Sequence, residues 1–313
     1  MMWMLIMHQQ LCSGERKETH FFTGIYEKLV DEGNGHNDIK EDYWKLFRET
    51  KCTDNEKASF IDGTPVKHRS VLAAKNLNEY YSKEGEKDDI RFIVMLREPV
   101  SRDNSWYEHS TRQYLTGHKT GQGFSDARKG SIKELKTFKE TWGADIEAVR
   151  KGKKKRDMLA NEIAGDYVTQ LKDFTKFFKR SQILVLNSKM AFTKTHETME
   201  IIRQFLGVDK CEAWETEPFP HDDHLGSTNN SDDPDCVFRH IPKMDCDMRD
   251  AMAKHYESTN DELLEWLEET KKDAPSMEPP FEPFGDAYKS MACVPDARAA
   301  LNAVIKADKS DIC

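Results

Sequence analysis

Arg97 stands directly after the apolar run Arg91 to Leu96 (RFIVML), with Pro99 behind it and Ser105 about two helical turns further on. A continuous β-rich apolar run reads as a strand buried on both faces of a parallel sheet. Pro99 suits the first turn of a helix. In open α/β sheets, ligands bind outside the carboxyl ends of the strands. A guanidinium at such an end supplies a charge-assisted fork, and a serine hydroxyl on the next helix supplies a neutral donor. Together they could clasp a phosphate from two sides. The plainer alternative is that Arg97 pairs with an acidic neighbour and Ser105 is a surface residue, since charges at strand ends are common.

Other stretches carry weaker chemistry. The basic run Lys151 to Arg156 (KGKKKR) could contact a polyanionic glycan, or it is a solvated basic turn. Gly117 to Gly123 (GHKTGQG) reads as a flexible connector. The seven cysteines form no CxxC pair, which argues against zinc or thioredoxin-type chemistry. Their odd number fits a reducing compartment, and it equally fits one or two disulfides in a lumenal enzyme. One Asn-x-Ser acceptor, Asn229-Asn230-Ser231, is a triplet that arises often by chance.

The 313 residues suffice for one large α/β domain or two small ones with a proper core. A net charge of −9 argues against a generic nucleic-acid binder, without excluding a local basic cleft. The apolar start Met1 to Met7 is too short to cross a bilayer and lacks the flanks of a secretory signal, so no membrane span is expected.

The positioning elements follow from the pattern. A helix remnant is expected over 1–8, a brief strand over Ala58 to Asp62, and a helix over 69–83. The strand at 91–96 leads into a helix reaching about Leu115. Helices are expected over 131–149 and 157–179, and Gln182 to Leu186 is a second buried strand. An amphipathic helix over 194–206 ends at Gly207 as C-cap. Residues 220–240 read as loop, 245–270 as helix, and a last short helix covers 295–307. Strands alternating with helices argue for an α/β fold, a three-layer sandwich around a central parallel sheet. Residues 1–270 would form the domain, and 271–313 a proline-rich linker and tail.

The stretch LREPVSRDNSWYEH resembles the 3′-phosphate-binding segment of sulfotransferases that use 3′-phosphoadenosine 5′-phosphosulfate (PAPS), whose pattern is close to LRxPxxRxxSxY. Leu96, Arg97, Pro99, Arg102, Ser105 and Tyr107 match it. Its flavour is nearest the heparan sulfate N-deacetylase/N-sulfotransferases. ERKETHFF (15–22) is similar to the family's Glu-x-His-Phe-Phe segment, which would make Glu18 the general base and His20 its neighbour. Residues 165–186 resemble a helix-strand unit in which Gly165, Tyr167 and Leu171 fit. FRHIPKMD (238–245) resembles the late nucleotide-embracing segment through Arg239, Pro242 and Asp245, with Phe238 where the family has glycine.

The resemblance implies a P-loop NTPase-like sulfotransferase fold with PAPS as donor, 3′-phosphoadenosine 5′-phosphate (PAP) as product and no metal. It implies that Arg97, Ser105 and Arg239 bind the nucleotide, while Tyr167 and Lys67 face the acceptor. That acceptor would be a hydroxyl or amine, most naturally of a glycan, with no nucleic acid as partner. A Golgi location is implied for the full-length enzyme. Two departures stand out. The family's first strand and lysine-bearing Gly-Thr-Thr loop, which hold the 5′-phosphosulfate, are missing, and their place falls just before Met1, as in a chain cut off at its start. Gly63 stands where the family often has a lysine before the Thr/Ser of the next strand end. The alternative is therefore a catalytically inactive, sulfotransferase-like protein that binds nucleotide or glycan. A P-loop kinase relative is disfavoured, since no Walker lysine or magnesium-binding set is visible.

Overall fold

The computed structural model describes residues 5, 7–14, 18–47, 58–64, 70–115, 136–140, 142, 165–212, 214 and 243–306. The chain divides into two compact units. One comprises Met1–Leu96, Val168–Phe219 and Leu264–Glu282; the other comprises Arg97–Tyr167, Pro220–Leu263 and Pro283–Cys313.

The first unit holds four described strands: β1 (Leu11–Ser13), β2 (Ser59–Ile61), β3 (Phe92–Leu96) and β4 (Ile183–Asn187). β1 pairs in parallel with β2, and β3 with β4, in register from Phe92 opposite Ile183 to Leu96 opposite Asn187. Among the described residues the hydrogen bonding is thus two parallel pairs, where the pattern predicted one central sheet. A single core still joins them. Leu11, Leu184, Leu186, Met199, Ile202 and Phe205 are buried together, with Ile61 and Ile93 packed against them. β4 is buried at every residue, as its unbroken apolar run requires.

Helices flank these strands. A π-helical turn, Phe21–Ile25, runs into α1 (Tyr26–Asp31), followed by α2 (His36–Lys45) and α3 (Ser70–Glu84). They close over an aromatic core of Phe21, Phe22, Tyr26, Tyr43, Phe47 and Tyr80. α5 (Tyr167–Thr175), α6 (Ser188–Thr193) and α7 (Thr195–Leu206) follow in the chain. Gly207 ends α7 at φ 68°, the left-handed cap its position predicted. The helix expected over 157–179 is shorter where it is described: α5 stops at Thr175, and a 3-10 turn over Arg180–Gln182 leads into β4.

In the second unit, α4 (Pro99–Leu115) opens at Pro99 as expected. α8 (Cys246–Glu269) begins here, and α9 (Ala297–Lys306) lies near the end of the chain. Val100, Tyr107, Phe138, Trp142, Met248 and Tyr256 form its core.

The segment after residue 271, expected to be a linker and tail, is tied into both units. In the first, Glu278 pairs with the buried Arg180 and accepts from the Val185 amide at 2.8 Å. In the second, Cys246 and Cys293 form a disulfide, Asp245 bridges to Val294, and the Asp245 carboxylate accepts from the Ala297 amide at 2.8 Å. No described helix is long and apolar enough to cross a membrane.

Candidate functional site

Two groups of the sequence-derived residues are visible, one in each unit. In the second unit, Arg97 is exposed, and its guanidinium has no ion-pair or hydrogen-bond partner among the described residues. The expectation that it pairs with an acidic neighbour is therefore not met there. Its backbone, by contrast, is fixed. The Tyr167 hydroxyl donates to the Arg97 carbonyl at 2.7 Å. Burial holds that phenol far above its ordinary pKa, so it is a neutral donor. Tyr167, expected to face the acceptor, is itself buried.

Glu98 fixes the next residue. Its buried carboxylate accepts from the Val100 amide at 2.9 Å, the Ser101 amide at 2.7 Å and the Ser101 hydroxyl at 2.7 Å. This is side-chain capping of α4, and it satisfies amides that a helix start leaves open. Those amides would otherwise offer an anion site. The Val100 and Ser101 amides are thus not open to an anion beside Arg97. Ser105 lies one turn past Ser101 on the same face of α4. It is half-buried, and its hydroxyl has no partner among the described residues. A fixed backbone carrying an uncommitted guanidinium, with an uncommitted hydroxyl up the helix, is suited to an incoming phosphate.

Arg102, part of the same pattern, has a different place. It is ion-paired with Asp103, whose side chain is fully buried. Burial disfavours the Arg102 charge, but Asp103 together with Tyr167 and Tyr256 outweighs it and the pKa is raised. The Tyr256 hydroxyl donates to the other Asp103 oxygen at 2.6 Å. Burial, and then the Asp103 charge, hold the Tyr256 phenol well above its ordinary pKa. A Cβ on Gly165 would come within 2.4 Å of the Tyr256 ring, so a glycine there is required by close approach.

In the first unit, Glu18 and His20 lie on the loop after β1. His20 Nε2 is 3.3 Å from Glu18 Oε2, with side chains 58% and 36% exposed respectively. Thr19 between them is buried. The Asp62 carboxylate, at the end of β2, accepts from the Thr19 amide at 3.3 Å and the Thr19 hydroxyl at 2.5 Å. Thr64 donates to the same carboxylate from its amide at 2.9 Å and its hydroxyl at 2.6 Å. His20 has φ 54°, the one non-glycine positive φ among the described residues. That conformation costs about 1–2 kcal/mol and is retained where surroundings dictate it, often at sites of function. Phe21 and Phe22 anchor the loop in the aromatic core, and the Asn76 side chain donates to the Phe22 carbonyl at 3.0 Å.

Lys67, Arg239, the basic run 151–156 and the glycine-bearing 117–123 lie outside the described residues. Asp62, Glu98 and the Asp103–Tyr256 pair were not singled out from sequence. Only Glu98 carried a local signal, an acidic residue directly before a helix-opening proline.

No family model and no curated protein matches the chain. A solved structure does. It is a crystal structure of a sulfotransferase from Alicyclobacillus acidocaldarius, 17% identical, matching with a TM-score of 0.53 over 84% of this chain and 88% of that one. The chain has a sulfotransferase-like fold. The likeness is consistent with the mixed α/β architecture and its parallel strand pairs.

Proposed function

We propose that this protein transfers a sulfuryl group from PAPS to a hydroxyl or amine of a glycan. The observation that carries the reading is the uncommitted Arg97 guanidinium on a backbone pinned by Tyr167 and Glu98, with the Ser105 hydroxyl up the same helix face. Arg97 and Ser105 would hold the 3′-phosphate of the nucleotide, with Arg239 as a further contact. Lys67 would face the acceptor.

In the reaction the acceptor oxygen or nitrogen attacks sulfur in line with the bond to the 5′-phosphate. That bond breaks, PAP leaves with its electron pair, and Glu18 takes the acceptor's proton. His20, beside Glu18, positions the acceptor. The chemistry is mainly positioning and charge stabilisation, since little covalent work falls to the protein. The resemblance to heparan sulfate enzymes points to a sulfated or carboxylated glycan and to the Golgi lumen. The Cys246–Cys293 disulfide supports an oxidising compartment.

A second reading is a nucleotide- or glycan-binding protein without transfer. The residue favouring it is Gly63, which supplies no cation between Asp62 and Thr64.

Calorimetry with PAP tests the first reading, together with transfer from radiolabelled PAPS to heparan sulfate and to N-desulfated heparan sulfate. The expected result is PAP binding that Arg97→Ala abolishes and Ser105→Ala weakens, and transfer that Glu18→Gln slows by about 100- to 10,000-fold without loss of PAP binding. Binding without transfer selects the second reading. Unchanged PAP affinity in Arg97→Ala overturns the nucleotide-site assignment.

A further inference from the structure

The Glu18 loop is held from one point. The Asp62 carboxylate receives both the amide and the hydroxyl of Thr19, and both the amide and the hydroxyl of Thr64. Each hydroxyl, having donated to Asp62, accepts a further amide. The Thr64 hydroxyl takes the His20 N–H at 2.9 Å, and the Thr19 hydroxyl takes the Phe21 N–H at 3.2 Å. Three successive amides after Glu18 are therefore bound to Asp62, directly or through one hydroxyl. The bonds span from the end of β2 to the loop after β1, with a sequence separation of 43 for Thr19 and Asp62.

Orientation of the donors makes a carboxylate necessary. Both hydroxyls must point their protons at residue 62 to leave their lone pairs for His20 and Phe21. An ionised carboxylate accepts from every direction and donates in none. An asparagine at the same place would present an amide donor to one of the hydroxyls, turn it into an acceptor, and compete with a backbone N–H.

We propose that Asp62 is the positioning residue for Glu18, setting where its carboxylate meets the acceptor proton; this rests on the sulfuryl-transfer reading. Thr19 is buried and drawn onto Asp62, whereas Glu18 and His20 on either side of it face outward within 3.3 Å of each other. The left-handed turn at His20 is closed by the Thr64 contact. Asp62 thus acts on the chemistry through backbone geometry and touches neither donor nor acceptor.

The test compares Asp62→Asn, Glu18→Gln and the double variant in the full chain. It reads kcat, KM for PAPS, PAP affinity, and amide hydrogen exchange. Because an ångström of misplacement can remove about 100-fold in rate, Asp62→Asn is expected to lower kcat by about ten- to 100-fold. KM for PAPS and PAP affinity should stay within about twofold. Thr19, His20 and Thr64 amides should exchange faster, while those of β3 and β4 keep their protection. The double variant should be no slower than Glu18→Gln alone, because Asp62 acts through Glu18.

Faster loop exchange with unchanged kcat makes Asp62 a brace only and overturns the proposal. So does a double variant slower than Glu18→Gln by the full Asp62→Asn factor, or a loss of protection that extends through β3 and β4. If the wild-type chain binds PAP but transfers nothing, the reaction reading fails and the proposal with it. The exchange data then still show whether Asp62 holds the loop, which separates the two failures.

Discussion

Replacing Tyr167 with phenylalanine removes one hydroxyl and tests whether Arg97 owes its placement to it. The Tyr167 hydroxyl donates to the Arg97 carbonyl at 2.7 Å, and the ring keeps its packing, including the contact with Phe284 at a centroid distance of 6.1 Å. A hydrogen bond between neutral groups contributes about 1 kcal/mol net. If the lost bond frees the Arg97 backbone in the unliganded protein, nucleotide binding must order it again. About 1 kcal/mol corresponds to about a fivefold weaker affinity. Calorimetry with PAP is the assay, with a thermal unfolding curve to confirm that the variant is folded. Unchanged affinity in Tyr167→Phe, alongside abolished binding in Arg97→Ala, would refute the claim that Tyr167 positions the clasp.

Gly165→Ala should destabilise the fold by about 1–3 kcal/mol or more, because its Cβ would sit within 2.4–2.7 Å of the buried Tyr256 ring and displace its bond to Asp103; urea unfolding measures it. Removing the Cys246–Cys293 disulfide, by replacing both residues with alanine, should cost up to about 4 kcal/mol, from a loop closed over a separation of 47 residues. The same unfolding assay under non-reducing conditions reads that loss. Burial raises Tyr26 and Tyr81 to about 12, from an ordinary 10. A raised phenol stabilises the fold fully below pH 10, and that contribution is lost as the pH rises through about 12. Circular dichroism and phenolate absorbance should therefore show unfolding and tyrosine ionisation together between these values, rather than ionisation at pH 10 in a folded protein.

Much of the scaffold was legible because the relevant signals are local. The apolar runs of β3 and β4, Pro99 at the start of α4 and Gly207 at the end of α7 each declare themselves within a few residues. Arg97 and Ser105 stand out as candidates for the same reason, since both belong to one strand-turn-helix passage. β1 was missed because three residues, Leu11–Ser13, give no alternation to read. α2 was missed because only Ile39 and Tyr43 are buried in an otherwise charged stretch, too narrow a stripe for a periodicity argument. In its local sequence Asp62 is marked only as the strand-end residue before Gly63. Its partner Thr19 is 43 residues away, and no local pattern announces a contact formed when two strand ends meet. The pairing of Cys246 with Cys293 was equally hidden among seven cysteines, whose connectivity the sequence leaves open.

The contact between Glu278 and β4 also bears on how the protein behaves at high concentration. Among the described residues β4 is paired on one side by β3, and its other side carries outward backbone groups. An uncovered Ile183–Asn187 edge would be an invitation to a strand from another molecule, being short, apolar and uncharged. Glu278 occupies the Val185 amide, and the Asn187 side chain donates to the Glu282 carbonyl at 2.8 Å. The proline-bearing segment between them cannot itself continue the ladder, because proline lacks the N–H a further strand would need. The stretch that reads as a loose tail thus covers part of this strand edge, and cleavage before Glu278 is expected to raise light scattering at high concentration.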